Sequence, residues 1–139
     1  MRHIEKIHVR WDDQDAFGHV NNAKYLTYVQ EARVQMLWRA RQRAGLAPLL
    51  SDMVVARAEV DFLIPIYEGA LEIDCEVWVG KIGGASFEMH YELKSPEGLH
   101  ARVKTVQVGV DMVTKRSRRL NDEERAYLVQ YQELDDASI

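Results

Sequence analysis

The sequence predicts an α+β domain in which one long helix lies against an antiparallel sheet. Three observations carry this. Apolar residues recur at helical spacing from Ala23 to Ala44. Four stretches follow, between Val54 and Met112, in which apolar and polar residues alternate. The order of strand, helix and run of strands differs from the alternating βαβ plan of a parallel sheet. With 139 residues and no repeat, low-complexity segment or linker, one domain spanning 1–139 is expected. It should bury roughly two thirds of its unfolded surface.

In chain order, His3 to Trp11 reads as the first strand, with Ile4, Ile7, Val9 and Trp11 as its apolar positions. Asp12 to Asn22, DDQDAFGHVNN, is polar and reads as a loop. The helix places Tyr25, Val29, Ala32, Met36 and Ala40 on one stripe, with Tyr28 and Leu37 beside it, and sends Arg33, Arg39 and Arg41 towards solvent. Asn21 or Asn22 is a suitable N-cap and Gly45 a suitable stop. Leu46 to Ser51 is a connection. The next strand sets Val54, Ala56, Ala58, Val60, Phe62 and Ile64 on one face and Arg57, Glu59 and Asp61 on the other. Leu71 to Val79 and Phe87 to Leu93 continue the sheet, joined through hairpin connections at Gly83-Gly84 and Pro96-Glu97-Gly98. From Ala101 to Met112, Val103 is out of phase with Val106, Val108 and Val110, which either a bulge or burial of both faces at different points would account for. Asn121 to Gln132 opens with NDEE, an Asn cap with acidic residues behind it, and reads as a terminal helix; the last residues should be loose.

A composition of 47% hydrophobic and 29% charged residues excludes a disordered chain. The formal charge of −4 argues against a general nucleic-acid binder, although positive charge concentrated locally can still receive an anionic small molecule. Cys75 is the one cysteine, which excludes an internal disulfide and a multi-cysteine metal cage. No spacing of histidines and carboxylates makes a metal site, so no metal is expected. The N-terminal residues lack a signal-peptide pattern, and no apolar run approaches the roughly 20 residues that cross a bilayer. The reducing cytoplasm is the expected compartment, and no membrane partner is expected.

Chemistry concentrates where the loop meets the helix. Asp13, Asp15, Gly18, His19, Asn21 and Asn22 precede a helix start, whose N–H groups and partial positive field stabilise an oxygen that becomes negative. Asp15 could activate water or attack an acyl carbonyl directly, and both routes need a carboxylate. The same residues also suit simple turns and caps, because short Asp and Asn side chains bond to nearby backbone.

The run from Arg10 to Arg33, RWDDQDAFGHVNNAKYLTYVQEAR, resembles the hotdog-fold acyl-coenzyme A thioesterases of the 4-hydroxybenzoyl-coenzyme A thioesterase type. Asp13, Asp15 and Gly18 match the family's Asp-x-Asp-x-x-Gly signature, and His19, Asn21, Asn22 and Tyr25 match its continuation. The resemblance continues through VVARAEVDFLIPIYEG, with Asp61, Phe62 and Pro65 at familiar positions. It implies a hotdog fold, an antiparallel sheet wrapped around the central helix. It also implies Asp15 as the catalytic carboxylate, acyl sites between protomers, a homodimer through joined sheets, and often a dimer of dimers, a homotetramer. His19 departs from the apolar residue of some hydroxybenzoyl-specific relatives, which weakens the transfer of their aromatic specificity and leaves aromatic against aliphatic preference open.

Within that resemblance, the backbone from Gly18 through His19, Val20 and Asn21 to Asn22 supplies candidate oxyanion donors or substrate-positioning groups. Asn21 reads better as a cap or brace than as a reactant. Glu59 and Asp61 either pair with Arg57 or a neighbouring strand, or face a partner's site. Arg102, Lys104, Lys115, Arg116, Arg118 and Arg119 are candidate contacts for coenzyme A phosphates, or plain solvated charges. His90 reads as solvated and Cys75 as core. The expected activity is hydrolysis of an acyl-coenzyme A to a carboxylic acid and free coenzyme A, with coenzyme A as part of the substrate and no separate cofactor. An acyl-carrier-protein thioesterase and a noncatalytic acyl-binding or assembly protein are the alternatives. A hotdog dehydratase fits less well, because the helix has no His and only Glu31 as an acid.

Overall fold

Alternation between Met53 and Gly109 produces strands whose inner residues share a core with the long helix. The structure, a computed structural model, describes residues 1–50, 52–67 and 72–134. Strands β1 (His3–His8), β2 (Met53–Phe62), β3 (Glu72–Ile82), β4 (Ser86–Ser95) and β5 (Gly98–Gly109) form one antiparallel sheet in the order β1-β3-β4-β5-β2. This is the hotdog arrangement that the resemblance implies. The first strand ends at His8, and Trp11–Asp13 forms a 3-10 turn. Leu71, Ser51 and the residues after 134 lie outside the described residues.

The long helix is continuous but not uniform. Helix α1 (Lys24–Val34) passes through a π-helical turn (Gln35–Arg39) into α2 (Ala40–Arg43). Tyr25, Tyr28, Val29, Ala32, Met36 and Leu37 are buried on it, against Ile73, Cys75, Val77, Phe87, Met89, Tyr91 and Leu93 of the sheet. A π turn admits one extra residue, so the inward stripe beyond it advances by one position. That explains Arg41, which faces inward instead of reaching solvent: it is buried, donates to Ala47 O at 2.7 Å and to Glu123 at 3.2 Å, and lies over the Tyr127 ring. Gly45, at φ +76°, ends the rod as expected.

The phase change in β5 comes from apolar residues on both faces and not from a bulge between Val103 and Val106. Ala101, Val103, Thr105 and Gln107 keep strict inward alternation, with the two polar residues buried, while Val106 and Val108 share the outer face. One register shift falls in β2 between Val55 and Arg57, so Val54 stands opposite Val108 and not on the face of Val60 and Phe62. A second, against Leu93 and Lys94 of β4, makes His100 the extra residue. His100 is buried, its Nδ1 2.9 Å from Ile64 O and its Nε2 2.7 Å from Ser95 Oγ. Its carbonyl accepts the N–H groups of Leu63 and Ile64. The end of β2 is thereby fixed beside the helix start. Helix α3 (Asp122–Val129) has the predicted Asn121 cap, with Glu124 closing the capping box.

Candidate active site

The loop before α1 is wound by its own backbone. Asp15 N–H donates to His19 O at 3.0 Å, and Gly18 N–H to Asp15 O at 3.2 Å. Gly18 sits at φ +83°, which a side chain would strain. Val20 N–H donates to Ile66 O at 2.8 Å and Asn21 N–H to Asp13 O at 2.9 Å, tying the loop to the segment after β2 and to itself. Asn21 Oδ1 accepts the Ala23 N–H at 2.9 Å, the bracing expected of it, and the carbonyls of Asn21 and Asn22 accept from Lys24 and Tyr25.

The two aspartates occupy different environments. Asp13 is 3% exposed, and its Oδ2 accepts the Tyr28 hydroxyl at 2.6 Å and the Arg10 N–H at 3.0 Å. Lys24 Nζ is 3.8 Å from its other oxygen, at the helix start. Burial alone would raise the Asp13 carboxyl, but Tyr28, Arg10 and Lys24 outweigh it and hold the group below the usual carboxylate range. Burial and the adjacent Asp13 push the Tyr28 phenol well above its ordinary value. Asp15 is half-buried. Its Oδ1 accepts the Phe17 N–H at 2.9 Å, and its Oδ2 has no partner among the described residues.

The backbone donors are similarly divided. Gly18, Val20 and Asn21 already spend their N–H groups inside the protein. Among the described residues, the N–H groups of His19 and Asn22 have no acceptor. A cleft of about 100 Å³ lies beside them, lined by His19, Asn22, Tyr25 and the chain from Phe62 to Pro65. The Tyr25 and Phe62 rings meet edge to face there, with centroids 5.0 Å apart. Asp15 stands outside this lining. Phe17, 84% exposed, projects from the same loop.

The remaining candidates lie elsewhere. Glu59 and Asp61 stand opposite Lys104 and Arg102 in the β2–β5 register, on the sheet face away from the helix. Glu59 pairs with Arg57 at 2.6 Å and with Lys104 at 3.6 Å; Arg102 lies 3.5 Å from Glu92. This is the cross-strand pairing alternative, and it turns Glu59 and Asp61 away from their own helix start. Arg102 and Lys104 instead line an outer groove of about 790 Å³ with Trp78 and His90. His90 is not simply solvated: it stacks on Trp78 at 5.6 Å and approaches Glu88 at 3.3 Å.

In the loop after β5, Arg118 grips the buried Glu124 through two contacts of 2.9 Å, and Arg119 lies over Gly84. Lys115 and Arg116 are exposed, with no ion-pair partner among the described residues. Cys75 is buried in the core. Sequence reasoning missed His100 and the Asp13–Tyr28 bond. The only signals were a histidine interrupting an alternating strand and a tyrosine one helical turn beyond Tyr25. Among the described residues, no group of three or more His, Cys, Asp or Glu could hold a metal ion, and no helix is long and apolar enough to cross a membrane.

Known proteins share this architecture. A family model described as the thioesterase-like superfamily matches residues 9–130. The uncharacterized protein YsmA of Bacillus subtilis is 28% identical over 97 residues, 68% of this chain and 63% of that protein. The chain therefore spans less than two thirds of that relative's length. A Thermus thermophilus thioesterase, solved with coenzyme A and Zn, is 29% identical with a TM-score of 0.78, covering 92% of each chain. A predicted thioesterase from Bacillus stearothermophilus has a TM-score of 0.82 over 97% of this chain and 99% of its own, at 20% identity, and shows the shared fold.

Proposed function

The chain belongs to the thioesterase-like superfamily, and from that premise we propose that it hydrolyses acyl-coenzyme A thioesters, with Asp15 as the catalytic carboxylate and residues 1–139 as one such domain. One observation carries the assignment of roles. In one short loop at a helix start, one Asp15 carboxylate oxygen and the N–H groups of His19 and Asn22 are unengaged among the described residues. A thioester carbonyl bound there would receive both N–H groups on its oxygen, where negative charge develops. Asp15 takes the proton from an attacking water, or attacks the carbonyl carbon itself. Collapse of the tetrahedral intermediate breaks the C–S bond, and the coenzyme A thiolate departs and takes up a proton; where Asp15 attacked, this leaves an Asp15–acyl anhydride, which water cleaves to restore the carboxylate. Water supplies the hydroxyl of the acid, so coenzyme A is part of the substrate and the reaction requires no separate cofactor.

Assembly completes the reading. Strand β2 has β5 on one side and no strand on the other among the described residues, and Val54, Val55 and Phe62 are exposed on it. An uncovered apolar edge is a template for pairing, and we assign it to a second copy, with a dimer of dimers as the further step. Antiparallel pairing of β2 with itself sets the start of one strand beside the end of the other. Lys115 and Arg116 follow β5 near the start of β2, since Val110 N–H donates to Asp52 O. They would then approach the partner's helix start, where coenzyme A phosphates would lie. The cytoplasm is the compartment in which this substrate and a lone reduced Cys75 fit together.

The test is thiol release from short, medium, long and aromatic acyl-coenzyme A substrates by the native protein and a folded Asp15→Asn variant. Turnover by the native protein, falling at least about 100-fold in the variant, is expected. Turnover only of acyl-carrier-protein thioesters would transfer the activity to that substrate. Saturable acyl-coenzyme A binding without thiol release would make the protein a noncatalytic acyl binder.

A further inference from the structure

Away from the loop before α1, a second nucleophile stands beside a base. At the end of β4, Ser95 Oγ lies 2.7 Å from His100 Nε2, across the hairpin that Pro96 and Glu97 turn. His100 is the extra residue of β5, and its ring bridges the end of β4 and the segment after β2.

The far side of the ring decides which atom holds the proton. Nδ1 is 2.9 Å from the Ile64 carbonyl oxygen, which can only accept, so in the neutral ring Nδ1 carries the hydrogen. Nε2 is then a lone pair, and the Ser95 hydroxyl donates to it. The Glu97 N–H donates to the same Oγ at 3.1 Å, which steadies negative charge on that oxygen. Oγ keeps one further lone pair for attack. Nucleophile, base and a group that orients the base are thus in hydrogen-bond order.

A hairpin brace would need only the Ser95–His100 bond. Here the two partners also differ in access. His100 is 1% exposed, so water does not compete for Nε2, whereas Ser95 is half-buried and faces Gly98, which has no side chain, across the ladder. The base is enclosed and the nucleophile can be reached. Ser95 lines neither the cleft at the helix start nor the outer groove, so the reagents that suit it are small acyl groups on good leaving groups.

We propose that Ser95 is a nucleophilic serine with His100 as its general base, forming a second acyl-transfer site that takes short acyl groups from activated esters such as aryl acetates. Ser95 Oγ attacks the ester carbonyl carbon, and its proton passes to His100 Nε2. The C–O bond to the aryl group breaks, and the aryl oxide takes that proton and leaves as a phenol. Water, giving a proton to Nε2, then cleaves the acyl-serine to the acid, and Nε2 returns the proton to Oγ. The Ile64 carbonyl positions the ring and supports the imidazolium by one hydrogen bond alone, so turnover is slow and the acyl-serine accumulates. This site is independent of the thioesterase reading.

The experiment treats native protein and Asp15→Asn with 4-nitrophenyl acetate, and separately with a 4-nitrophenyl phosphonate ester, whose serine adduct resists water. Modified peptides are identified by mass spectrometry. Ser95 should be labelled equally in both proteins, and Ser95→Ala should lose that adduct. His100→Gln, folded by circular dichroism, should label at least about 100-fold more slowly. Should His100→Gln not fold, Ser95→Cys decides: a thiol that gives its proton to Nε2 should react with iodoacetamide at pH 6.5 at least about tenfold faster than free cysteine, with the buried Cys75 as the unreactive internal reference.

An unlabelled Ser95 in the native protein would overturn the proposal and leave the pair as a brace. So would labelling at an undiminished rate in His100→Gln, or a Ser95→Cys thiol no faster than free cysteine. Because the readout is an adduct on one peptide, thiol release from acyl-coenzyme A substrates can fail or succeed without altering this outcome.

Discussion

Asp13→Asn and Asp15→Asn alter carboxylates two residues apart and should have opposite consequences. At Asp13, a single oxygen accepts from both Tyr28 and Arg10, and Lys24 stands 3.8 Å from the other. An amide keeps the shape, but it removes the charge from two hydrogen bonds and turns an NH₂ group towards the lysine. Hydrogen bonds to a charged group contribute about 1.5–3 kcal/mol and neutral ones about 0.5–1.5, so two bonds stripped of their charge cost about 2–3 kcal/mol. At roughly 3 °C per kcal/mol for a chain of this length, Asp13→Asn should melt about 6–9 °C lower. Tyr28→Phe loses one charged bond and should fall by about 5–9 °C on the same scale.

The sign with pH follows. Because the folded carboxyl of Asp13 lies below its ordinary value, its contribution is complete above the unfolded pKa, about 3.9, and is lost as pH falls through the folded value. The gap between native and Asp13→Asn should therefore be full at pH 7 and close in strong acid. Asp15→Asn touches only the Phe17 N–H and should shift the melting temperature by less than about 2 °C while abolishing turnover. The assay is thermal unfolding at one fixed protomer concentration, beside thiol release. A melt of Asp13→Asn within about 1 °C of native, together with retained turnover in Asp15→Asn, would refute this division of roles.

Arg118→Ala should release α3 from the sheet end. It leaves the buried Glu124 without its guanidinium, at a cost of about 2–3 kcal/mol at pH 7 read from urea unfolding. Arg118 holds the Glu124 carboxyl below its usual range, so this difference should vanish as pH falls through the folded value; persistence in strong acid would contradict it. Burial pushes the Cys75 thiol well above its ordinary value, so iodoacetamide should label it only after unfolding; labelling of the native protein within minutes at pH 8 would show the core open there. Changing Lys115 and Arg116 together to Glu should raise KM for acyl-coenzyme A about tenfold and flatten its salt dependence, while acyl-pantetheine substrates that lack the nucleotide respond little. Equal responses by both substrates would remove the phosphate role.

Periodicity and turn chemistry reached far into this fold. The helix from Ala23, the Gly45 stop, the Gly83-Gly84 hairpin and the Asn121 cap are local features, set by residues a few positions apart, and all are present in the structure. The Asp-x-Asp-x-x-Gly run was legible for the same reason, since its residues act within one loop. Sequence did not show which aspartate is braced, because Asp13 is distinguished by Tyr28, Arg10 and Lys24, residues beyond the loop. Nor did it show that Arg41 turns inward, which depends on a π turn that no single residue signals.

The phase change in β5 illustrates the same boundary. Val103 and Val106 conflict only if polar residues are excluded from the inner face. Thr105 and Gln107 are buried there in one chain of hydrogen bonds, in which Arg33 of the helix donates to Tyr91 of β4, Tyr91 bonds to Thr105, and Gln107 donates to Thr105. Alternation and capping are interactions along the chain, so the sequence by itself determined the elements, their order and the loop to which we assign the chemistry. Register, the pairing of buried polar groups and the choice of unengaged N–H groups depend on which distant atoms meet, and only tertiary packing decides that.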